Sequence, residues 1–302
     1  METQKKAIAI ACRLDSQRAL DITKEISDYL IEKGEKIFFE NRIASKFISH
    51  FRKELNNMYG GPNGNTKFVI SIGGDGTVLR IAQNLPDKNP PPIFGVNMGS
   101  IGFLDESSIE TVKEDLSKIL AGDYVVEEAP RLQTIVNGQS LPLALNEVLL
   151  ISSKPSKVLH IKISIDSANF TSAYLDGFII STTAGSTAYA LSAGGCLVDP
   201  RVQAIELVPV NPFAGTGFIK PLFIPSSSTI ELELLRPRLN GVLVIDGQTE
   251  YRIAPPQKII IRQASSNIKF IRLNKKIHEG FYSRLKHKIL YSKSLEDTGP
   301  EE

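Results

Sequence analysis

The first part of the chain alternates strand-like and helix-like segments, and the rest does not; no other feature restricts the fold as strongly. Lys6–Cys12 is a continuous apolar run, as a strand covered on both faces requires. Ser16–Glu32 then carries Ala19, Leu20, Ile22, Ile26 and Leu30 at helical spacing, and Gly34 stops it. Lys36–Phe39 is extended again, Tyr59–Thr66 is a Gly/Asn/Pro loop, and Lys67–Ile72 is a strand leading through a glycine-rich turn into a helix ending near Asn84. Pro90–Pro92 closes that stretch, Ile93–Val96 is a short strand, and Ile109–Leu120 reads as a helix. Such alternation implies a parallel sheet of α/β type.

After about Asp123 the pattern changes. Leu132–Val136, Ala144–Ile151, Val158–Ile165, Phe170–Leu175, Phe178–Ser181 and Ala204–Val210 read as short strands, as do Thr229–Leu235, Val242–Ile245, Lys258–Arg262 and Ile268–Leu273. Only Ser186–Gly194 suggests a helix among them, which predicts a β-rich, sandwich-like domain. A last helix over about Phe281–Leu290 aligns Phe281, Leu285 and Ile289 on one face, which must pack on something. The fold class expected is a Rossmann-like α/β domain over residues 1–123 and a β-rich domain over 124–273. Residues 274–302 add the final helix, packing back on the first domain, and a frayed tail.

Charge and thiol content exclude several functions. With 35 basic and 33 acidic residues, scattered along the chain, the net charge is +2, and no basic patch points to nucleic acid. The two cysteines, Cys12 and Cys196, make neither a disulfide framework nor a zinc site and suit a reducing compartment. No stretch approaches the roughly 20 apolar residues of a membrane span, and the N-terminal apolar run is too short for a secretory signal. The expectation is a cytoplasmic protein that binds no membrane.

The turn Gly73-Gly74-Asp75-Gly76-Thr77 stands between a strand and a helix. Its glycines let backbone approach a ligand, and the helix start offers N–H donors and a favourable dipole to phosphate. An aspartate there repels phosphate, which makes sense if Asp75 accepts a proton from, or orients, a hydroxyl beside the phosphates. A tight turn capped by Asp is the plain alternative. The turn has neither the Lys-Ser/Thr ending of a P-loop nor the spacing of a dinucleotide fingerprint.

Gly-Gly-Asp-Gly-Thr is shared by NAD kinases and by diacylglycerol- and sphingosine-type lipid kinases, with related forms in phosphofructokinases. The resemblance implies phosphoryl transfer from a nucleotide without choosing the acceptor. Four further segments resemble NAD kinases, in that family's order. They are Gly95-Val96-Asn97-Met98-Gly99-Ser100-Ile101-Gly102-Phe103-Leu104, Asn146-Glu147, Asp176-Gly177 leading to Thr183-Ala184-Gly185-Ser186-Thr187-Ala188-Tyr189-Ala190-Leu191-Ser192-Ala193-Gly194-Gly195, and Asp246-Gly247-Gln248. Lys157-Val158-Leu159-His160 resembles a Lys-x-x-His stretch of some members. The chain departs from the family at Thr183-Ala184, where Pro-Thr is usual, at Tyr174, where Arg or Lys is common, and at Asn211-Pro212-Phe213, where Pro-His is common.

The resemblance implies an enzyme, a kinase making NADP from NAD, with ATP or another phosphoryl donor and with Mg²⁺ or another divalent metal carried on the nucleotide. Asp75 is the expected catalytic base; Gly73, Gly74, Gly76 and Thr77 are expected at phosphate. Asp75, Gly76, Phe103, Asn146, Glu147, His160, Asp176, Thr187, Ala188, Tyr189, Ser192 and Gln248 are expected at NAD, in a cleft between the domains. In the family, residues matching Asp176 and Ala188-Tyr189 complete a site at a subunit interface, so a homodimer or homotetramer is expected. Two rivals remain at this point. A lipid or other small-molecule kinase would explain the turn but not the Thr-Ala-Gly-Ser-Thr-Ala-Tyr segment, and a non-catalytic nicotinamide-nucleotide sensor would not need Asp75.

Overall fold

A computed structural model describes residues 6–40, 43, 66–99, 102–213, 220–236 and 238–291. The chain divides into two compact units, Met1–Glu128 with Lys269–Glu302, and Ala129–Ile268.

The first unit is built on a seven-stranded sheet. Its strands are β1 (Ala7–Cys12), β2 (Ile37–Phe39), β3 (Thr66–Gly73), β4 (Ile93–Asn97), the short β5 (Ser107–Ser108), β6 (Val125–Ala129) and β19 (Ile268–Arg272). They run in the order β2-β1-β3-β4-β19-β6, with β5 beside β4. β1 pairs β2 and β3 in parallel, and β4 pairs β3, β5 and β19 in parallel. Parallel neighbours need crossovers, and α1 (Gln17–Glu32), α2 (Asp75–Asn84) and α3 (Val112–Leu120) supply helices after β1, β3 and β5. Every residue of β1 is buried, which is why its sequence is apolar without alternation. Ser16 caps α1, its Oγ accepting from the Ala19 amide at 3.2 Å. The stripe Ala19, Leu20, Ile22, Ile26 and Leu30 is buried in a core with Ile8, Ile10, Phe68, Ile70, Phe94, Val96 and Leu116. Each fully buried side chain of this size contributes about 1.5–3 kcal/mol.

The second unit is a sandwich of two antiparallel six-stranded sheets. One contains β7 (Leu132–Val136), β8 (Gln139–Ser140), β10 (Leu159–Ile165), β11 (Ala168–Leu175), β15 (Thr229–Leu234) and β18 (Lys258–Gln263), in the order β11-β10-β15-β18-β7-β8. The other contains β9 (Glu147–Ser152), β12 (Gly177–Ser181), β13 (Ala204–Val210), β14 (Leu222–Pro225), β16 (Gly241–Ile245) and β17 (Thr249–Ile253), in the order β14-β13-β12-β9-β16-β17. Alternate residues of both sheets, among them Ile161, Leu232 and Ile261 from one and Leu150, Phe178, Ile180 and Leu243 from the other, form a single core. A 3₁₀ turn (Ala184–Thr187) and the one-turn helix α4 (Tyr189–Ser192) follow β12; α5 (Ile277–Tyr291) ends the described chain.

Several elements differ from the sequence reading. The helix expected from Ile109 begins at Val112, because Ser107–Ser108 first pairs with Val96 and Asn97 and the next residues turn away from the sheet. Ile268–Leu273, read with the strands of the β-rich region, joins the first unit's sheet, where Phe270 pairs with Ile93. Apolar alternation marks a strand but not the sheet that receives it. Asn146 stands just ahead of β9, not within it. Of the expected loop Tyr59–Thr66, residues 59–65 lie outside the described residues, and Thr66 opens β3.

Candidate active site

The expected residues collect into distinct clusters, the first in the unit with the parallel sheet. β3 ends at Gly73, Gly74 is the N-cap of α2, and Asp75 begins the helix. A Cβ on Gly73 would fall on the Thr77 hydroxyl, so the buried Thr77 explains that glycine. Gly74 and Gly76 are different. Gly74 has ordinary extended backbone (φ −146°), and a Cβ at either position meets nothing within 4 Å among the described residues. Neither conformation nor neighbours demand glycine at these two sites, and no side chain caps α2. The turn therefore leaves room beside the positive end of a helix dipole.

Asp75 has an anchoring role that the sequence reading missed. Its Oδ2 accepts from the Phe103 amide and its Oδ1 from the Leu104 amide, each at 3.0 Å, tying the Gly-Phe-Leu segment to the glycine turn. Each carboxylate oxygen keeps a second lone pair for another donor. The Phe103 ring is buried, 6.4 Å from the ring of Phe281 on α5.

Behind this pair lies a buried charge cluster. Asp105 is 5% exposed, and Asn97 donates its Nδ2 to Asp105 Oδ2 at 3.1 Å. Arg272, from β19, binds Glu127 at 2.6 Å and Glu106 at 3.2 Å and donates to the carbonyls of Leu104 and Asp105. Arg284, from α5, lies 3.6 Å from Glu106. Burial and then the charge of Asp75 push the Asp105 carboxyl up to about 7, against the opposing pull of Arg272 and Asn97. Burial and then Arg272 push Arg284 down to about 10.

The second cluster stands at one end of β9 and β12. Asp246 and Gly247 both have positive φ (50° and 64°), the geometry of a type I′ hairpin turn between β16 and β17. The buried Asp246 carboxylate accepts from the amides of Leu145 (2.8 Å), Asn146 (2.8 Å) and Glu147 (3.1 Å). Thr182 ties the small-residue segment to the same backbone: its amide donates to Asn146 O at 2.8 Å and its Oγ1 to Leu145 O at 2.6 Å. Gly185 packs so closely that a Cβ would collide with Asn146 O and with Ser181 Oγ. Asn146 Oδ1, Glu147 Oε2 and Thr183 Oγ1 are buried without a hydrogen-bond partner among the described residues. Buried polar atoms are seldom left so. Burial, then the charge of Asp246, push the Glu147 carboxyl up to about 8, so it carries a proton at neutral pH.

Thr187, Ala188, Tyr189 and Ser192 follow directly on Gly185, with Tyr189 and Ser192 exposed, and Gln248 is exposed beside the Asp246 turn. Asp176 and His160 do not join this cluster. Asp176 precedes β12 at Gly177, whereas the cluster adjoins Ser181, about 13 Å away along the strand. Asp176 accepts from Asn211 Nδ2 at 3.1 Å. His160 stacks on Tyr174 with centroids 4.0 Å apart, and Arg236 lies over the same tyrosine ring. Burial, then Arg236, lower the affinity of His160 for a proton. The sequence reading assigned no role to Asp105, Thr182, Arg272 and Arg284. Asp105 follows the Gly-Phe-Leu motif directly, and Asp246 was read as part of the Asp-Gly-Gln segment without a role of its own. Nothing local in the sequence marks the two arginines.

The ATP-NAD kinase N-terminal domain family matches residues 8–124, and the ATP-NAD kinase C-terminal domain family matches residues 145–273. An NAD kinase of Methanothermobacter thermautotrophicus is 36% identical over 285 residues, covering 94% of this chain and 96% of the relative. An NAD kinase of Thermococcus sibiricus is 38% identical over 280 residues, 93% of this chain and 99% of the relative. Among solved structures, an NAD kinase from Archaeoglobus fulgidus in complex with ATP superposes with a TM-score of 0.74 at 28% identity, covering 93% of this chain and 99% of that one. With both family models matched in order and relatives aligned nearly end to end, the chain belongs to the ATP-NAD kinase family, the enzymes that phosphorylate NAD.

Proposed function

We propose that the chain transfers the γ-phosphoryl group of ATP to the 2′-hydroxyl of the adenosine ribose of NAD, with Asp75 accepting the hydroxyl proton. In this reading the O2′–H bond gives its proton to Asp75, an O2′–P bond forms, and the P–O bond to the β-phosphate breaks to leave ADP. Phosphoryl transfer asks a protein mainly for position and charge. Gly73, Gly74, Gly76 and Thr77 would receive the phosphates. The observation that carries the reading is the pair of glycines, Gly74 and Gly76, that no neighbour requires, beside a carboxylate held in place by two amides. Asn146 Oδ1 and the protonated Glu147 supply an acceptor and a donor suited to ribose hydroxyls.

The described residues contain no group of three or more His, Cys, Asp or Glu side chains that could cage a cation. A divalent ion here fits as one carried on the donor's phosphates, as Mg²⁺ usually is in such enzymes, where it neutralises charge on the transferring group. Among the described residues no helix is long and apolar enough to cross a membrane, and cytoplasmic action on free nucleotides is the setting we infer. A homodimer or homotetramer fits the separation of Asp176 and His160 from the Glu147 cluster, since a second copy can supply what one chain keeps apart. Light scattering showing a fully active monomer would defeat that part.

The test of the reaction incubates the pure protein with NAD, Mg²⁺ and a panel of donors and measures NADP. Formation of NADP with ATP, and its loss with a chelator, is the expected result. Tight NAD binding without turnover on any donor would make the chain a sensor, and phosphorylation of diacylglycerol but not NAD would make it a lipid kinase.

A further inference from the structure

The glycines of the Gly95–Leu104 segment point to a group that the reaction scheme above does not use. A Cβ on Gly95 would stand 2.6 Å from Asp105 Oδ1 and 2.8 Å from Asp105 Cα. A Cβ on Gly102 would fall on Asp75 Oδ1 and stand 2.8 Å from Asp105 Oδ2. Both glycines are thus shaped around one carboxyl, and the second of them brings that carboxyl next to Asp75 with only an absent side chain between. Asn97 holds Asp105 Oδ2, and the Asn97 amide is itself oriented by accepting from the Gly99 amide at 2.6 Å. Asp105 Oδ1 has no partner among the described residues and is out of contact with solvent. A buried carboxyl with one oxygen unsatisfied is costly unless it carries a proton or serves a purpose.

We propose that Asp105 is a positioning residue for the transfer, a second carboxyl whose charge state sets how strongly Asp75 draws the proton from the ribose hydroxyl. Like charges in close quarters each favour protonation of the other. An ionised Asp105 places a second negative charge beside the carboxylate that the Phe103 and Leu104 amides hold, with only Gly102 between them. Asn97 from β4 and Arg272 from β19 act on Asp105, and Arg284 from α5 acts on Asp75; Glu106 and Glu127 in turn pair with these arginines. Across Asp75, Asp105, Glu106 and Glu127 against two arginines, carboxylates outnumber cations. Burial first, and the charge of Asp75 second, push the Asp105 carboxyl up to about 7 against the opposing pull of Arg272 and Asn97.

This inference rests on Asp75 as the proton acceptor, and its test keeps the two apart. kcat and KM for NAD are measured from pH 5.5 to 9 for the wild type, Asp105→Asn and Asp75→Asn. The wild type is expected to gain kcat through about pH 7. Asp105→Asn should flatten that rise and lower kcat at pH 8 about tenfold, with KM within about threefold, because the shape and the Asn97 contact survive and only the ionisation is lost. Infrared titration of the unliganded protein should show a carboxyl band lost near pH 7 in the wild type and absent from Asp105→Asn. If Asp105→Asn keeps the wild-type pH profile while Asp75→Asn is nearly inactive, Asp105 has no such role. A Tm drop with an unchanged pH profile would make it a structural carboxyl only. If Asp75→Asn itself stays active, the base assignment fails first.

Discussion

The Asp75 cluster and the Asp246 cluster each hold a carboxylate against backbone amides beside a segment of small residues, and they balance its charge differently. Asp246 accepts three amides of consecutive residues. Asp75 accepts two amides, and behind it stand further carboxylates and two arginines drawn from β19 and α5. Amide dipoles fix position without titrating, whereas a network of carboxylates and guanidiniums changes charge with pH. Asp246 is thus anchored on a run of consecutive backbone amides, whereas Asp75 is anchored beside further ionisable side chains.

Three substitutions probe that difference, and Asp75→Asn should have the largest effect. It removes the charge while keeping size and one amide acceptor, and kcat should fall by about 10²–10⁴ with KM for NAD changed only a few-fold. Retention of more than about a tenth of kcat would end the base assignment. A loss appearing in KM and thermal stability instead would leave Asp75 as the anchor of Phe103 and Leu104 and nothing more. Gly185→Ala should come next. Its methyl must displace Asn146 backbone, so about 1–3 kcal/mol of stability is lost and KM for NAD rises while the kcat pH profile is retained. A denaturant midpoint and KM equal to the wild type would show that the Gly185 contact can relax freely.

The smallest effect is a pH-dependent one. The Glu147 carboxyl stands near 8 in the folded protein against an ordinary value of 4.5, so between those limits the folded state binds the extra proton. Stability therefore falls as pH rises through that window, and Asp105 adds a fall of the same sign between 3.8 and about 7. Glu147→Gln should match the wild-type Tm at pH 5 and exceed it by a few degrees at pH 9. A constant difference at every pH would mean that Glu147 does not carry the proton assigned to it.

Much of the architecture was legible because β1 is apolar throughout and α1 shows a clean helical stripe ended by glycine. Strands β5 and β8 escaped notice because two residues carry no periodicity, and β6, β14 and β17 went unread as well. The motifs at the Gly73–Thr77 turn and Asn146-Glu147 stand where the structure places an open glycine turn and unpartnered buried polar atoms. The site was not legible where a residue acts on distant backbone. Asp246 lies 101 residues from one of its amide partners, and Asp75 reaches 28 and 29 residues ahead. Phe103 shows another long-range contact that the sequence does not display: its ring lies 6.4 Å from Phe281 and its amide donates to Asp75.

The place of β19 between β4 and β6 bears on how the chain is made. The second unit is one continuous stretch of sequence, so all its strands have emerged from a ribosome once residue 268 is clear. The first unit, begun earlier, must wait, because its sheet has a gap until Ile268–Arg272 arrives. Until then Asp105 and Glu106 have neither Arg272 nor Arg284 to offset their charge. The later-made unit can fold first, and translation must pass the second unit before the carboxylates around Asp75 gain the arginines that balance them.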